Sequence, residues 1–501
     1  MTSQSELPAS SDVVESFEVT QGGQSGDLLT VPQGDRKLQI GLFACGYFEY
    51  WRMYPGLREQ VGRDMQIIAD RLAGKHELVY PGYIDTIDGA DSAGRRFRDE
   101  QIDLLIVTES TYCPDYFVHQ ALVHLPDDTP ICVYASQPHG ELDFEGGYDQ
   151  ALRSSGPMGL VQLTGGFRKM GKFERYEVVV GPSDDDEVFE EIDRFIQVRT
   201  TITNLKNMTI GLVGHVFRGM FDFHFDRTAV AGILGPHVLD IDIRHLTSIL
   251  EEITPDDARV DRLCAKVKST YEVVGLDDDD IRRSARLAIA LQELVRRYKL
   301  GGLVLLGQHF IELQANATTY LGLAEILSSD QAAATTEGDV LGCIMSKVLE
   351  DFTGHTPFFG EWEEIDVKRN AVMLLGHGFI DPGEGRKDRR VKVNPACEAW
   401  GFEGNGLGFE ATYEPGPVTM THVIQDTKGW RLLVSEGELL DLPPLPINES
   451  NLIVRVDKPV KAYFRELMMH GFAHHAITVP GHVGSQLECF ARQLDLTICR
   501  L

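Results

Sequence analysis

Short apolar runs alternate along this chain with amphipathic stretches, a pattern that predicts parallel strands covered on both faces by helices. LQIGLFACG (38–46) opens it as a buried strand. A helix follows from Leu57 to Leu72, then a short strand over His76–Tyr80 and a helix over Ser92–Glu100. DLLIVTES (103–110) and ICVYASQ (131–137) are further buried strands. The opening returns at MTIGLVGHV (208–216), and VLDIDIRHL (238–246) reads as the next strand. The period changes over residues 277–299, where Ile281, Ala285, Leu287, Ala288, Leu291 and Leu294 fall on helical spacing. Asp280 or a neighbour caps this helix, and the acidic run suits the positive end of its dipole. LVLLGQ follows Gly301-Gly302 as a buried strand, and residues 321–334 look helical.

Past about residue 355 the texture becomes one of strands joined by turns, as in WEEIDVKRNAVMLLGHG, GFEATYEPGPVTMTHVIQD and GWRLLVSEGELLD. The fold class expected is α/β: two consecutive Rossmann-like parallel-sheet domains followed by a mainly β C-terminal domain. The expected divisions are a flexible N-terminal tail (1–36), an N-terminal α/β domain (37–205), a central α/β domain (206–355) and a β-rich domain (356–501).

Charge narrows the partners. The 501 residues carry 47 Lys and Arg against 76 Asp and Glu, a net charge of -29. Such a surface repels phosphate backbones and anionic lipid, so neither nucleic acid nor a membrane is an expected partner. The acidity is compatible both with a demand for solubility and with a salty habitat. No apolar run approaches the roughly 18 residues of a membrane span. The first residues, MTSQSELPASSDVVESFEV, are polar and acidic and do not read as a signal peptide. The eight cysteines form no CxxC pair, and Cys45 and Cys132 lie in apolar strands, as buried thiols in a reducing compartment would. A cytoplasmic location is therefore expected.

Candidate chemistry collects in four segments: TTEGD with Glu337, FFGEWEE with Glu361, MLLGHG with His377, and GFAHHA with His474 and His475. Singly, each has an ordinary explanation. A turn glutamate is usually solvated, and a strand-end histidine usually makes a structural hydrogen bond. Glu361 stands between Phe359 and Trp362, where a carboxylate is costly unless it is paired or binds a cation. Adjacent imidazoles repel when both are protonated. Taken together, two carboxylates and imidazole suit Mn²⁺ or Mg²⁺ (or Co²⁺) with open positions, rather than a closed thiolate zinc site. They also straddle an expected domain boundary, where small-molecule sites tend to lie. His215, His309, Met220, Phe221, Phe223 and Phe225 either line a pocket or fill a core. GFEGNGLGFE (401–410), with Gly404, Gly406 and Gly408, falls in the β-rich domain and does not read as a nucleotide loop, which would need a parallel strand before it and a helix after it.

From residue 38 onward, and most clearly past 335, these segments resemble the L-arabinose isomerase and L-fucose isomerase superfamily. TEGD is similar to the segment carrying that family's first catalytic glutamate, and FFGEW to the one carrying its second acidic ligand. His377 follows Glu361 at nearly the family's interval. GFAHHA resembles the arabinose branch, whose second histidine is the ligand. AITVPGHVG, GPVTMTHV and the downstream GWRLLV are also family-like. The resemblance implies an aldose–ketose isomerase working through an enediol. It implies Glu337 and Glu361 as catalytic residues, and Glu337, Glu361, His377 and His475 as ligands of Mn²⁺ (or Mg²⁺/Co²⁺). It implies Gln137 and His474 as substrate contacts, a monosaccharide substrate, and a homo-oligomer, hexameric or trimer-based, with sites near subunit contacts. The loop CGYFEYWRMYPG and the surroundings of Gln137 depart from the arabinose pattern, so the sugar is left open. Two other readings compete. One is a non-catalytic sugar-binding or sensor protein, since successive α/β units suit binding proteins. The other is a metal hydrolase using the same ligands to activate water.

Overall fold

In QIGLFAC every residue after the first is buried, and the run forms β1 (Gln39–Cys45), an interior strand of an all-parallel sheet. The computed structural model describes residues 37–306, 311, 314–329, 332–396 and 406–501; the expected tail at 1–36, His309 and Gly404 lie outside them. β1 is joined by β2 (Glu77–Val79), β3 (Leu104–Glu109), β4 (Ile131–Gln137) and β5 (Tyr176–Pro182) in the order β2-β1-β3-β4-β5. The helix Leu57–Ala73 buries Val61, Met65, Ile68 and Leu72 from one face, the repeat its sequence predicts. The next helix runs Ile87–Asp99, starting earlier than its apolar positions suggest because the Thr86 side chain accepts from Gly89 N and caps it.

The helix Asp186–Lys206 leads into a second parallel sheet, and the expected division at 205/206 falls at its last turn. This sheet holds β6 (Thr209–Val213) and β7 (His237–Ile241). VLDIDIRHL is therefore not one strand: Asp242 accepts from Arg244 N and starts the helix Ile243–Glu252. A two-residue strand, β8 (Glu272–Val273), leaves for a separate small sheet. The helix Asp278–Tyr298 is capped by Asp277, with Asp280 reaching back to complete a capping box. β9 (Gly302–Leu305) and β10 (Ala333–Thr335) complete the order β10-β9-β6-β7. The segment 321–334 is thus divided: the helix Tyr320–Leu327 ends and β10 begins at a run of alanines that pack as well in a strand. The helix Val340–Thr353 follows, packed against both this sheet and the strands that come after it.

Those strands bear out the mainly β third region. β11 (Phe358–Asp366), β12 (Ala371–Gly376), β15 (Gly416–Asp426), β16 (Gly429–Leu439), β17 (Asn451–Val456) and β18 (His475–Pro480) pair antiparallel in the cycle β15-β18-β11-β12-β17-β16-β15, a closed barrel. β19 (Thr497–Arg500) adds to β16 in parallel. β13 (Lys392–Pro395) and β14 (Leu407–Glu410) form the small sheet with β8, tying the barrel region to the central one. Two helices, Val460–His470 and Gly484–Leu494, belong to the same region. One apolar core runs from the first sheet's helix face through the second sheet into the barrel. No helix among the described residues is long and apolar enough to cross a membrane.

Candidate functional site

Strand register brings the first residues together. In the β11–β18 ladder Glu361 stands directly opposite His475, so both side chains leave the same face of the barrel. One strand over, Gly360 pairs with Gly376, and His377 follows at the end of β12. The β11–β12 pairing slips between Trp362 and Glu364, a bulge one residue beyond Glu361. Glu337 arrives from the other side of the site, in the turn between β10 and the helix Val340–Thr353. Its φ of 60° is left-handed for a non-glycine residue, and Gly338 beside it has φ 81°. This pair of unusual dihedrals turns the chain sharply enough to point Glu337 back at the barrel.

Glu337, Glu361, His474 and His475 each offer a ligand atom, all within 4.8 Å of one another. His475 Nε2 lies 3.5 Å from Glu337 Oε2 and 3.9 Å from Glu361 Oε1. His474 Nε2 lies 3.6 Å and 3.7 Å from the same two oxygens. His377 stands at the edge of this set, with Nε2 3.0 Å from Glu361 Oε1. Gln137 is elsewhere, at the last position of β4 in the first sheet, where its carbonyl accepts from Ser183 N.

Both members of the histidine pair are oriented by aspartates that sequence reasoning did not single out. Asp339 is fully buried, and its Oδ2 accepts from His475 Nδ1 at 2.9 Å and meets His422 Nε2 at 3.0 Å. Its other oxygen caps the helix Val340–Thr353 by accepting from Gly342 N at 2.7 Å. Asp222 Oδ2 accepts from His474 Nδ1 at 2.6 Å and from His474 N at 3.2 Å. Each imidazole is thus held by Nδ1 and aims Nε2 at the carboxylate pair, the arrangement by which outer carboxylates orient metal-binding histidines. One signal for Asp339 was present in the sequence: an aspartate directly before the apolar run VLGCIM is a helix-start signature. Nothing local marks Asp222, and His422 was passed over although it lies in the family-like segment GPVTMTHV.

Aromatic rings close the site. Phe223 lies with its centroid 4.5 Å from His475 and 4.6 Å from His474, which settles its role between pocket and core. Phe359 meets His475 edge-on at 4.3 Å. Met220 packs beside Phe223, whereas Phe221 is exposed.

Burial and proximity set opposing demands on the charges. Burial alone would raise the Glu337 carboxyl, but His474 and His475 outweigh it and hold the group well below the usual carboxylate range. Glu361 is likewise lowered, mainly by His377 against the cost of burial. Burial opposes charge on His474, yet Asp222 and Glu337 raise it to about 10. His475 is raised by Asp339 and Glu337 against the same opposition. Asp339 is lowered by His422 and His475 despite full burial.

The residues present fit a divalent cation. Glu337 Oε2 and His475 Nε2 are buried, point into the cluster and have no hydrogen-bond partner. Such atoms are costly unless something satisfies them. Two carboxylates with two imidazoles and no thiolate suit Mn²⁺, Mg²⁺ or Co²⁺.

Residues 389–501 match the family model of the L-fucose isomerase C-terminal domain. A sulfoquinovose isomerase from Alkalicoccus urumqiensis is 23% identical over 331 residues, covering 65% of this chain and 72% of that protein. One from Priestia aryabhattai is 22% identical over 352 residues, covering 68% of this chain and 76% of that one. Among solved structures, a solute-binding protein of an ABC transporter from Agrobacterium vitis matches 63% of this chain and 90% of that one at 10% identity, with a TM-score of 0.14, too low to assign a shared fold. The family match over the C-terminal residues and the curated relatives at 22–23% identity support the L-arabinose/L-fucose isomerase superfamily for this chain.

Proposed function

We propose that this superfamily member is a metal-dependent aldose–ketose isomerase that interconverts its sugars through an enediol. The observation that carries the reading is the convergence of Glu337, Glu361, His474 and His475, with donor atoms within 4.8 Å and two of those atoms buried without a hydrogen-bond partner. These four residues hold the cation, and His377 fixes Glu361 from the side by the 3.0 Å contact between them. A bound Mn²⁺, Mg²⁺ or Co²⁺ supplies Lewis acidity toward adjacent sugar oxygens.

The chain's own residues do the rest. One of Glu337 and Glu361 removes the proton from the carbon beside the carbonyl and returns it to the neighbouring carbon. The other moves protons between the oxygens. Both carboxyls are held below their usual range and so enter the reaction ionised at neutral pH. Asp222 and Asp339 keep the two imidazoles aimed. Phe223 stacks on His475 and Phe359 meets it edge-on, and His475 is kept from water while His474 stays partly exposed. Gln137, remote from the cluster, serves a site on another copy in a homo-oligomer.

A panel of aldoses incubated with Mn²⁺ and with a chelator, scored for ketose, tests the proposal. Ketose formation that the chelator abolishes is the expected result. Tight sugar binding with no turnover and no response to chelator would overturn it in favour of a sugar-binding protein.

A further inference from the structure

We propose that Arg218 recognises an anionic group on the sugar, so that the substrate class is an aldose bearing a sulfonate, phosphate or carboxylate. The inference rests on the isomerase reading and deepens it.

The loop that carries Arg218 is fastened to the cluster at both ends. Phe217 N donates to Glu337 O at 3.0 Å. Val216 is pressed so closely on the Glu337 turn that a Cβ on Gly338 would stand 2.4 Å from Val216 Cα. At the far end Asp222 holds His474 at 2.6 Å, and Phe223 stacks at 4.5 Å on His475. Arg218 lies one residue from the first anchor and four from the second. It is exposed, and it makes no ion pair or hydrogen bond among the described residues. Nearby arginines are already engaged: Arg227 with Asp240 at 2.5 Å and Arg431 with Asp426 at 2.9 Å.

Charge makes such a group necessary for an anionic substrate. The chain carries -29 overall, and Glu337, Glu361, Asp222 and Asp339 crowd the site with further carboxylates. An anionic sugar meets repulsion on approach unless a cation stands at the rim. A guanidinium supplies that charge together with a planar pair of donors matched to two oxygens of a sulfonate, phosphate or carboxylate.

The test uses the full chain loaded with Mn²⁺. Sulfoquinovose, glucose 6-phosphate and glucuronate are compared with the neutral 6-deoxyglucose and L-fucose, in the parent and in Arg218→Met and Arg218→Lys. The parent is expected to favour one anionic aldose, and the three anions distinguish sulfonate from phosphate and carboxylate. In Arg218→Met the ratio of kcat/KM for that aldose over its neutral counterpart should fall roughly 10- to 100-fold, the worth of a charged hydrogen bond. The fall should lie in KM, with calorimetric binding of the anionic sugar weakened in step and Arg218→Lys intermediate. A parent that prefers the neutral sugars, or a ratio unchanged by Arg218→Met, overturns the inference while leaving the isomerase reading intact. No ketose from any sugar in the panel overturns both.

Discussion

Asp339 Oδ2 lies 2.9 Å from His475 Nδ1 and 3.0 Å from His422 Nε2, so one fully buried carboxylate aims a candidate ligand and joins it to strand β15. Asp339→Asn keeps the shape and loses the charge. It should lower stability by about 3 kcal/mol, as breaking a buried charged network does. Affinity for Mn²⁺ should fall roughly 10- to 100-fold, as on loss of an outer-shell partner. Denaturant unfolding checks the first effect and metal titration the second.

Glu337→Gln retains a side chain of the same size without a base. The turnover of ketose formation should fall by about 10²–10⁴, the usual worth of a positioned general base. Metal content measured on the same sample separates loss of the base from loss of the ion. Near-normal turnover would remove Glu337 from the proton transfer.

Gly338→Ala should be more damaging than Gly354→Ala. Both glycines have positive φ, 81° and 69°, but a Cβ at Gly338 meets Val216 Cα at 2.4 Å, whereas Gly354 has open space. Left-handed backbone alone costs about 1 kcal/mol. Gly338→Ala must in addition push the Arg218 loop from the Glu337 turn. Thermal unfolding should rank the two, and metal retention should fall in Gly338→Ala alone.

Away from the site, Glu293 ties down the last turn of the helix Asp278–Tyr298 through Arg296 at 2.6 Å and Arg297 at 2.8 Å. Its carboxyl is lowered to about 2, chiefly by the hydrogen bond from Arg296. A lowered carboxyl stabilises the fold above its unfolded value of about 4.3. That contribution is lost as pH falls from there toward about 2. The arginines are partly solvated, so Glu293→Gln should cost about 1 kcal/mol at pH 7. The gap between variant and parent should close on acidification, as read by denaturant unfolding at pH 7, 4 and 3.

The α/β order and the β-rich third region were legible because their strands are apolar and their helices amphipathic; the closure of those strands into a barrel was not. β1, β3 and β4 lie within a residue of where LQIGLFACG, DLLIVTES and ICVYASQ put them. VLDIDIRHL misleads because Asp242 caps a helix inside a run that alternates like a strand. The segments TTEGD, FFGEWEE and GFAHHA could be picked out by residue type, since carboxylates beside aromatics and paired histidines are unusual. His474, expected as a substrate contact, also offers a donor atom to the cluster. Asp222 and Asp339 were not legible as partners of the histidines. Asp222 is 252 residues from His474, and Asp339 is 136 from His475, and pairing over such spans is decided by tertiary packing.

The closed cycle of β15, β18, β11, β12, β17 and β16 has a consequence for how the site can change. With both neighbours paired, neither β11 nor β18 can slide without breaking two ladders. Side chains alternate faces along each strand, so inserting or deleting one residue within either would turn Glu361 or His475 to the opposite side of the wall. Length variation is therefore confined to the connecting turns. Within the wall, new chemistry can arise only by exchanging one side chain for another at a fixed address.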